Sequence, residues 1–151
     1  MKEKELFDGC TLRKYTEKWK LFRMEETYLS GFNKRKTGAV KEERAAEYLT
    51  SRGFQIVERN YRCRQGEIDI IGYDGEYLVF VEVKYRSSSR YDDPLAAVGN
   101  SKMQKICRVA DYYRYQAGIS QDVPVRYDVV GILQEEINWI PNAFPHIYRR
   151  G

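Results

Sequence analysis

The stretch that most constrains this chain is Leu78-Val79-Phe80-Val81-Glu82-Val83-Lys84. Side chains alternate between the two faces of a strand. Val79, Val81 and Val83 therefore face one way, and Leu78, Phe80, Glu82 and Lys84 the other. Both faces are apolar until the strand reaches Glu82. A strand apolar on both faces is central in its sheet and covered on both sides. Charges at the end of such a strand are costly unless they are paired or hold a metal. The run predicts a layered domain whose sheet opens into a cleft at Glu82 and Lys84.

The preceding segment, Gly66-Glu67-Ile68-Asp69-Ile70-Ile71, is interrupted in the same manner by Asp69. Asp74-Gly75 is a two-residue hairpin signal that folds this strand back on the next. Counted outward from that turn, Asp69 and Glu82 lie at similar but not identical heights. Two carboxylates, a backbone carbonyl such as that of Val83, and waters suit Mg²⁺, a hard ion that prefers oxygen. Lys84 beside them could position an attacking water and offset charge on a phosphorane-like transition state. Glu-x-Lys alone is also the ordinary solvated face of a strand. The buried strand and Asp69 favour chemistry here.

Further elements follow from periodicity. Residues 33–37 are basic, and a helix is expected over 38–52 with Gly53 as its C-terminal cap. Its apolar stripe is Ala45, Ala46, Tyr48 and Leu49. At 100° per residue Glu42 falls on that stripe and Glu43 on its flank, so Glu42 is the better third carboxylate. Strands are expected over 54–62, 67–73 and 76–86, then a loop over 87–100. A second helix is expected from Ser101, with Ser101 and Gln104 as a capping box, a buried face of Met103, Ile106, Cys107, Ala110 and Tyr113, and Gly118 as its end. Strands over 125–133 and 137–140 complete the pattern: helix, three strands, helix, two strands. That order predicts an α/β fold, one mixed sheet flanked by helices. Residues 1–32 read as an extension. Leu12, Tyr15, Trp19 and Phe22 there fit a short amphipathic helix, and Met24 would serve as an alternative start. Residues 33–151 form the domain.

At 151 residues the chain suits one such domain. Cys10, Cys63 and Cys107 are odd in number and far apart, which argues against a disulfide framework or a cysteine zinc site. The single histidine, His146, disfavours histidine-based triads and multi-histidine metal sites, and reads as a surface or packing residue. No apolar run would span a bilayer and no signal peptide is evident, so a cytoplasmic location is expected.

The net charge of +4 permits nucleic acid as a partner without requiring it. The local distribution is more pointed. Between residues 84 and 108 six basic residues (Lys84, Arg86, Arg90, Lys102, Lys105, Arg108) face two acids, Asp92 and Asp93. Lys102 falls in the first turn of its helix, where backbone N–H groups already favour phosphate. Arg62 and Arg64 are expected in the loop before Asp69. Arg62, Arg64, Arg86, Arg90, Lys102 and Lys105 thus form a candidate phosphate-backbone surface.

These residues also carry a resemblance. Glu42 with Ala45 and Leu49, Arg59-Asn60-Tyr61-Arg62, Gly66-Glu67-Ile68-Asp69, Phe80 through Arg86, Lys102, Val125 through Val129 and Asn142-Ala143-Phe144 resemble the YraN-like family, in order, over about residues 33–145. That family is similar to archaeal Holliday-junction resolvases, within the restriction-endonuclease-like PD-(D/E)xK nucleases. The resemblance implies that Asp69 and Glu82 bind Mg²⁺ (with Mn²⁺ as a substitute), that Lys84 assists the water, and that Glu42 completes the site. Two departures stand out: Lys41 where the family often has glycine, and Asp92-Asp93 in a loop that often carries one. The implied function is a Mg²⁺-dependent endonuclease acting on DNA, including branched or unusual structures, with a homodimer or ordered partner needed for symmetric cutting. The rival readings are a nucleic-acid-binding protein that cleaves little or nothing, and a protein-interaction module.

Overall fold

The computed structural model describes residues 33–86 and 98–148. Its elements are α1 (Asn33–Ser51), β1 (Gln55–Cys63), β2 (Gly66–Asp74), β3 (Tyr77–Arg86), α2 (Asn100–Gln116), β4 (Val125–Leu133) and β5 (Glu136–Ile140). The expected helix, three strands, helix and two strands are all present. They form one five-stranded sheet in sequence order, β1-β2-β3-β4-β5. Only β3 and β4 are parallel, and α2 lies in the connection between them. The proposed helix in residues 1–32, Met24, Cys10 and the loop carrying Arg90, Asp92 and Asp93 lie outside the described residues.

Both faces of β3 are covered, as its double-sided apolar pattern requires. Leu78 and Phe80 pack with Ile106, Cys107, Val109 and Ala110 of α2. Val79 and Val81 pack with Ala45, Ala46 and Leu49 of α1. Among the described residues no helix is long and apolar enough to cross a membrane.

Several boundaries differ from expectation. α1 begins at Asn33, so the basic stretch 33–37 is helical, as lysine and arginine readily allow. The capping box at Ser101 is not formed. Gly99 is the N-cap, no side chain caps it, and Ser101 already lies inside the helix. The β2–β3 loop is Gly75-Glu76, one residue later than expected, because Asp74 still pairs with Tyr77. Gly75 has φ +60 at the first central position, where a type II′ turn needs glycine. Arg62 belongs to β1, and only Arg64 lies in the turn before β2.

Gly72 marks where the backbone of β1 crowds β2. A Cβ there would lie 2.3 Å from the Gln55 carbonyl oxygen and 2.3 Å from the Phe54 ring. Neither can retreat easily, since one is backbone and the other is a buried ring packed near Trp139. Gly72→Ala is expected to cost about 2–3 kcal/mol, an overpacking penalty. A lower urea midpoint with an unchanged slope would show it; an unchanged midpoint would contradict it.

The sheet has one irregularity that bears on the site. Ile70 packs on the α1 side and Ile71 on the α2 side, as alternation demands. Two residues back, Ile68 should join Ile70, yet it packs on the α2 side. The partner strand turns over at the same rung. Asn60, with φ 53, separates Arg59, which reaches Glu43 of α1, from Tyr61, which packs on the α2 side. The β1–β2 ribbon therefore rolls over at Asn60 and Asp69, and the β2–β3 ladder ends at Ile70↔Val81.

Candidate active site

Asp69 sits at the rung where the β2–β3 ladder gives out. Extending the register places it across from Glu82. Its side chain takes over the missing connection, since the Val83 N–H donates to Asp69 Oδ2 at 2.7 Å. The aspartate thus joins the two strands where their backbones part.

Glu82 alternates with Val81, so it shares the α2 face with Phe80, and it is buried. Two ammonium groups face it. Lys84, two residues on along the same strand face, places Nζ 2.8 Å from Oε1. Lys102, from the first turn of α2, places Nζ 3.2 Å from Oε2. That second oxygen is buried, and no donor among the described residues is aligned to hydrogen-bond it, the nearby Lys102 included.

Burial, then the Glu82 charge, push the Asp69 carboxyl up from 3.8 to about 7. The Val83 N–H opposes the rise, Glu42 adds to it, and Lys102 opposes it. Asp69, Glu82, Glu42 and Lys102 therefore share one electrostatic neighbourhood. Glu42 reaches it from α1, and its neighbours in sequence are anchored. Glu43 accepts from Arg59 at 2.7 Å. Arg44 donates to the carbonyls of Gln134 and Glu135 in the β4–β5 turn. Lys41, the departure from the family pattern, lies over the Tyr85 ring, 3.5 Å from its centroid.

Asp69 and Glu82 are hard oxygen donors, and the unmatched Glu82 Oε2 is the feature a cation would satisfy. Mg²⁺ commonly uses one or two carboxylates and keeps several waters. Among the described residues no group of three or more His, Cys, Asp or Glu side chains converges as a metal cage. The set fits a sparsely liganded, water-rich ion.

The other candidate residues lie as follows. Lys105 and Arg64 are exposed. Arg62 is exposed and pairs with Glu67 at 3.4 Å. The Arg86 side chain and all of Arg90 lie outside what is described. Cys63 and Cys107 are free thiols, the latter buried. His146 packs against Tyr127, whose hydroxyl lies 2.7 Å from Nδ1.

Sequence reasoning read Lys102 only as a phosphate ligand and missed its approach to Glu82. The signal was available: in a β3–helix–β4 connection the helix starts near the C-terminal end of β3, where Glu82 stands. The Asp69–Val83 tie carried no signal, because it depends on the rollover of β2.

Fold and site together define a small α/β domain with one mixed sheet and an acid–lysine cluster at the break between two of its strands. The chain belongs to a family that its sequence identifies directly: residues 41–132 match the model of uncharacterised protein family UPF0102, the YraN family. It is 47% identical over 112 residues to a UPF0102 protein of Lachnoclostridium phytofermentans, covering 74% of this chain and 95% of that one. It is 43% identical over 119 residues to a UPF0102 protein of Methylococcus capsulatus, covering 76% and 95%. A UPF0102 protein of Colwellia psychrerythraea is 42% identical over 112 residues, covering 71% and 87%.

Proposed function

We propose that the chain is a divalent-metal-dependent endonuclease that hydrolyses DNA phosphodiester bonds. The observation that carries this reading is the buried Glu82, beside Asp69, with an oxygen that no aligned donor among the described residues satisfies and a lysine on each side. Asp69 and Glu82 would hold the ion, with the Val83 carbonyl and Glu42 as further ligands. When bound, Mg²⁺ or Mn²⁺ would polarise the phosphate and lower the pKa of a water. Lys84, held at Glu82, would orient that water in line with the leaving 3′-oxygen and offset the charge that develops on phosphorus. Arg64, Lys102 and Lys105 would hold the strand by its phosphates. The resemblance to junction resolvases drawn from the sequence motifs makes branched DNA the substrate to try first, and symmetric cutting there would require a dimer.

The test compares wild type with Asp69→Asn and Glu82→Gln on linear, single-stranded, flapped and four-way DNA, with Mg²⁺, Mn²⁺ or EDTA. Metal-dependent cleavage lost in both variants is expected. A wild type that cuts none of these substrates, or variants that cut equally well, would remove the catalytic reading. A second reading, binding without cleavage, is favoured by the two ammonium groups already facing Glu82. Salt-dependent DNA binding that outlasts loss of both carboxylates, without cutting, would select it.

A further inference from the structure

The two lysines at Glu82 are not equivalent. Lys84 comes from the same strand and sits close, at 2.8 Å from Oε1. Lys102 comes from another element and stops at 3.2 Å from Oε2 without hydrogen-bond alignment. A charge pair at a longer distance and without alignment is the weaker of the two. Oε2 is also the oxygen left for a cation, so Lys102 stands where an incoming ion would bind. Its side chain keeps partial access to solvent, and Ser101 beside it and Lys105 one turn on along α2 are exposed. The ammonium thus has a route outward on a flexible four-carbon stem.

We propose that Lys102 is a placeholder cation: its ammonium neutralises the Glu82 oxygen that a divalent ion takes, and the arriving ion releases it towards the phosphate of a bound strand. The inference rests on the metal-dependent reading of the site. It makes Lys102 a positioning residue that couples metal arrival to capture of the strand. In the metal-free protein the lysine limits the cost of a buried carboxylate. In the loaded protein the same charge serves substrate binding, so each ligand favours the other.

The test measures Mn²⁺ binding to the full chain by the spin-resonance signal of free Mn²⁺, with no turnover involved. Lys102→Met and Lys102→Gln are expected to bind Mn²⁺ on the order of tenfold more tightly than wild type, about 1.4 kcal/mol. Lys102→Arg should stay within about twofold. Lys105→Met removes a charge one turn away, so it controls for a general field effect and should tighten binding less than Lys102→Met does. Wild-type binding that depends on Glu82, with no tightening in either neutral variant, overturns the placeholder and leaves the metal site standing. No Mn²⁺ binding in wild type or in either variant overturns both. A second readout follows DNA affinity against salt. Metal should steepen the wild-type slope by about one phosphate contact and leave that of Lys102→Met unchanged. Equal steepening in the two proteins would refute the release step. Circular dichroism checks that each variant is folded, and Lys102→Gln stands in should the methionine variant not be.

Discussion

Asp69→Asn is expected to make the metal-free protein more stable above neutral pH while abolishing metal-dependent cleavage. The two effects share one cause. The Asp69 carboxyl is raised from 3.8 to about 7, mainly by burial and then by Glu82. For an acid whose folded pKa exceeds its unfolded value, the stabilisation is complete below the unfolded pKa and is lost as pH rises through the folded one. Wild type should therefore lose stability between about pH 4 and pH 7 through this group, on the order of 4 kcal/mol for a shift of this size. Asparagine cannot ionise, and its carbonyl oxygen can still accept from the Val83 N–H. Near pH 4 the two proteins should show similar urea midpoints, and at pH 8 the variant should be the more stable. Mg²⁺ should stabilise wild type at pH 8 and leave the variant unaffected. Loss of a metal-binding carboxylate should lower cleavage by at least about a hundredfold, since even groups that only support such ligands cost roughly 10–100-fold. Equal midpoint differences at both pH values would show that the carboxyl is not raised. Undiminished cleavage would show that it does not serve the reaction.

Asp128→Ala is expected to have the largest effect on stability; Asp128 stands beside Val81 in the β3–β4 register, on the sheet face opposite Glu82. Asp128 is fully buried and accepts four hydrogen bonds. Arg126 donates Nε to Oδ1 and Nη2 to Oδ2, each at 2.9 Å. Trp139 Nε1 donates to Oδ2 at 2.8 Å, and the Asn142 N–H to Oδ1 at 2.9 Å. Arg126 also reaches Asp74 at 2.7 Å. The carboxylate thereby ties β4 to β5, to the residues after β5 and, through Arg126, to the β2–β3 hairpin. Alanine would leave a mostly buried guanidinium with one acid partner, an indole N–H unmatched and a cavity. Breaking one side of such a pair costs about 3–5 kcal/mol, a large part of the 5–15 kcal/mol that holds a typical domain together. The variant should be largely unfolded at 37 °C by circular dichroism. A melting temperature within a few degrees of wild type would mean that the network contributes little. Asp128→Asn keeps the shape and should fall between the two.

Much of this architecture is legible in the chain. The double-sided apolar run of β3 reports a covered central strand, and both helices do cover it. Glycines at 53 and 118 mark helix ends, each with positive φ. Helical phase puts Glu42 on the inner side of α1, and its charge acts on Asp69. What stays hidden depends on distant partners. The capping box at Ser101 is a local pattern, and it yields because the N-cap falls two residues earlier, at Gly99. The Asp128 network joins residues from 74 to 142, so no local pattern announces it. The rollover at Asn60 and Asp69 is hidden because alternation is the very rule used to read a strand, and there the rule fails.

That rollover bears on what a survey of relatives can say. Asp69 does a backbone's work, accepting the N–H that the neighbouring strand would otherwise leave without its ladder partner. A descendant that had lost all chemistry would still need an acceptor at this position to close its sheet. Aspartate or asparagine persisting at 69 is therefore weak testimony to catalysis. Position 82 is the stringent witness. A glutamate there, buried and incompletely hydrogen-bonded among the described residues, gives the fold nothing that an apolar side chain would not give better. Lineages released from the reaction should lose the acid at 82 first and keep the one at 69 longest.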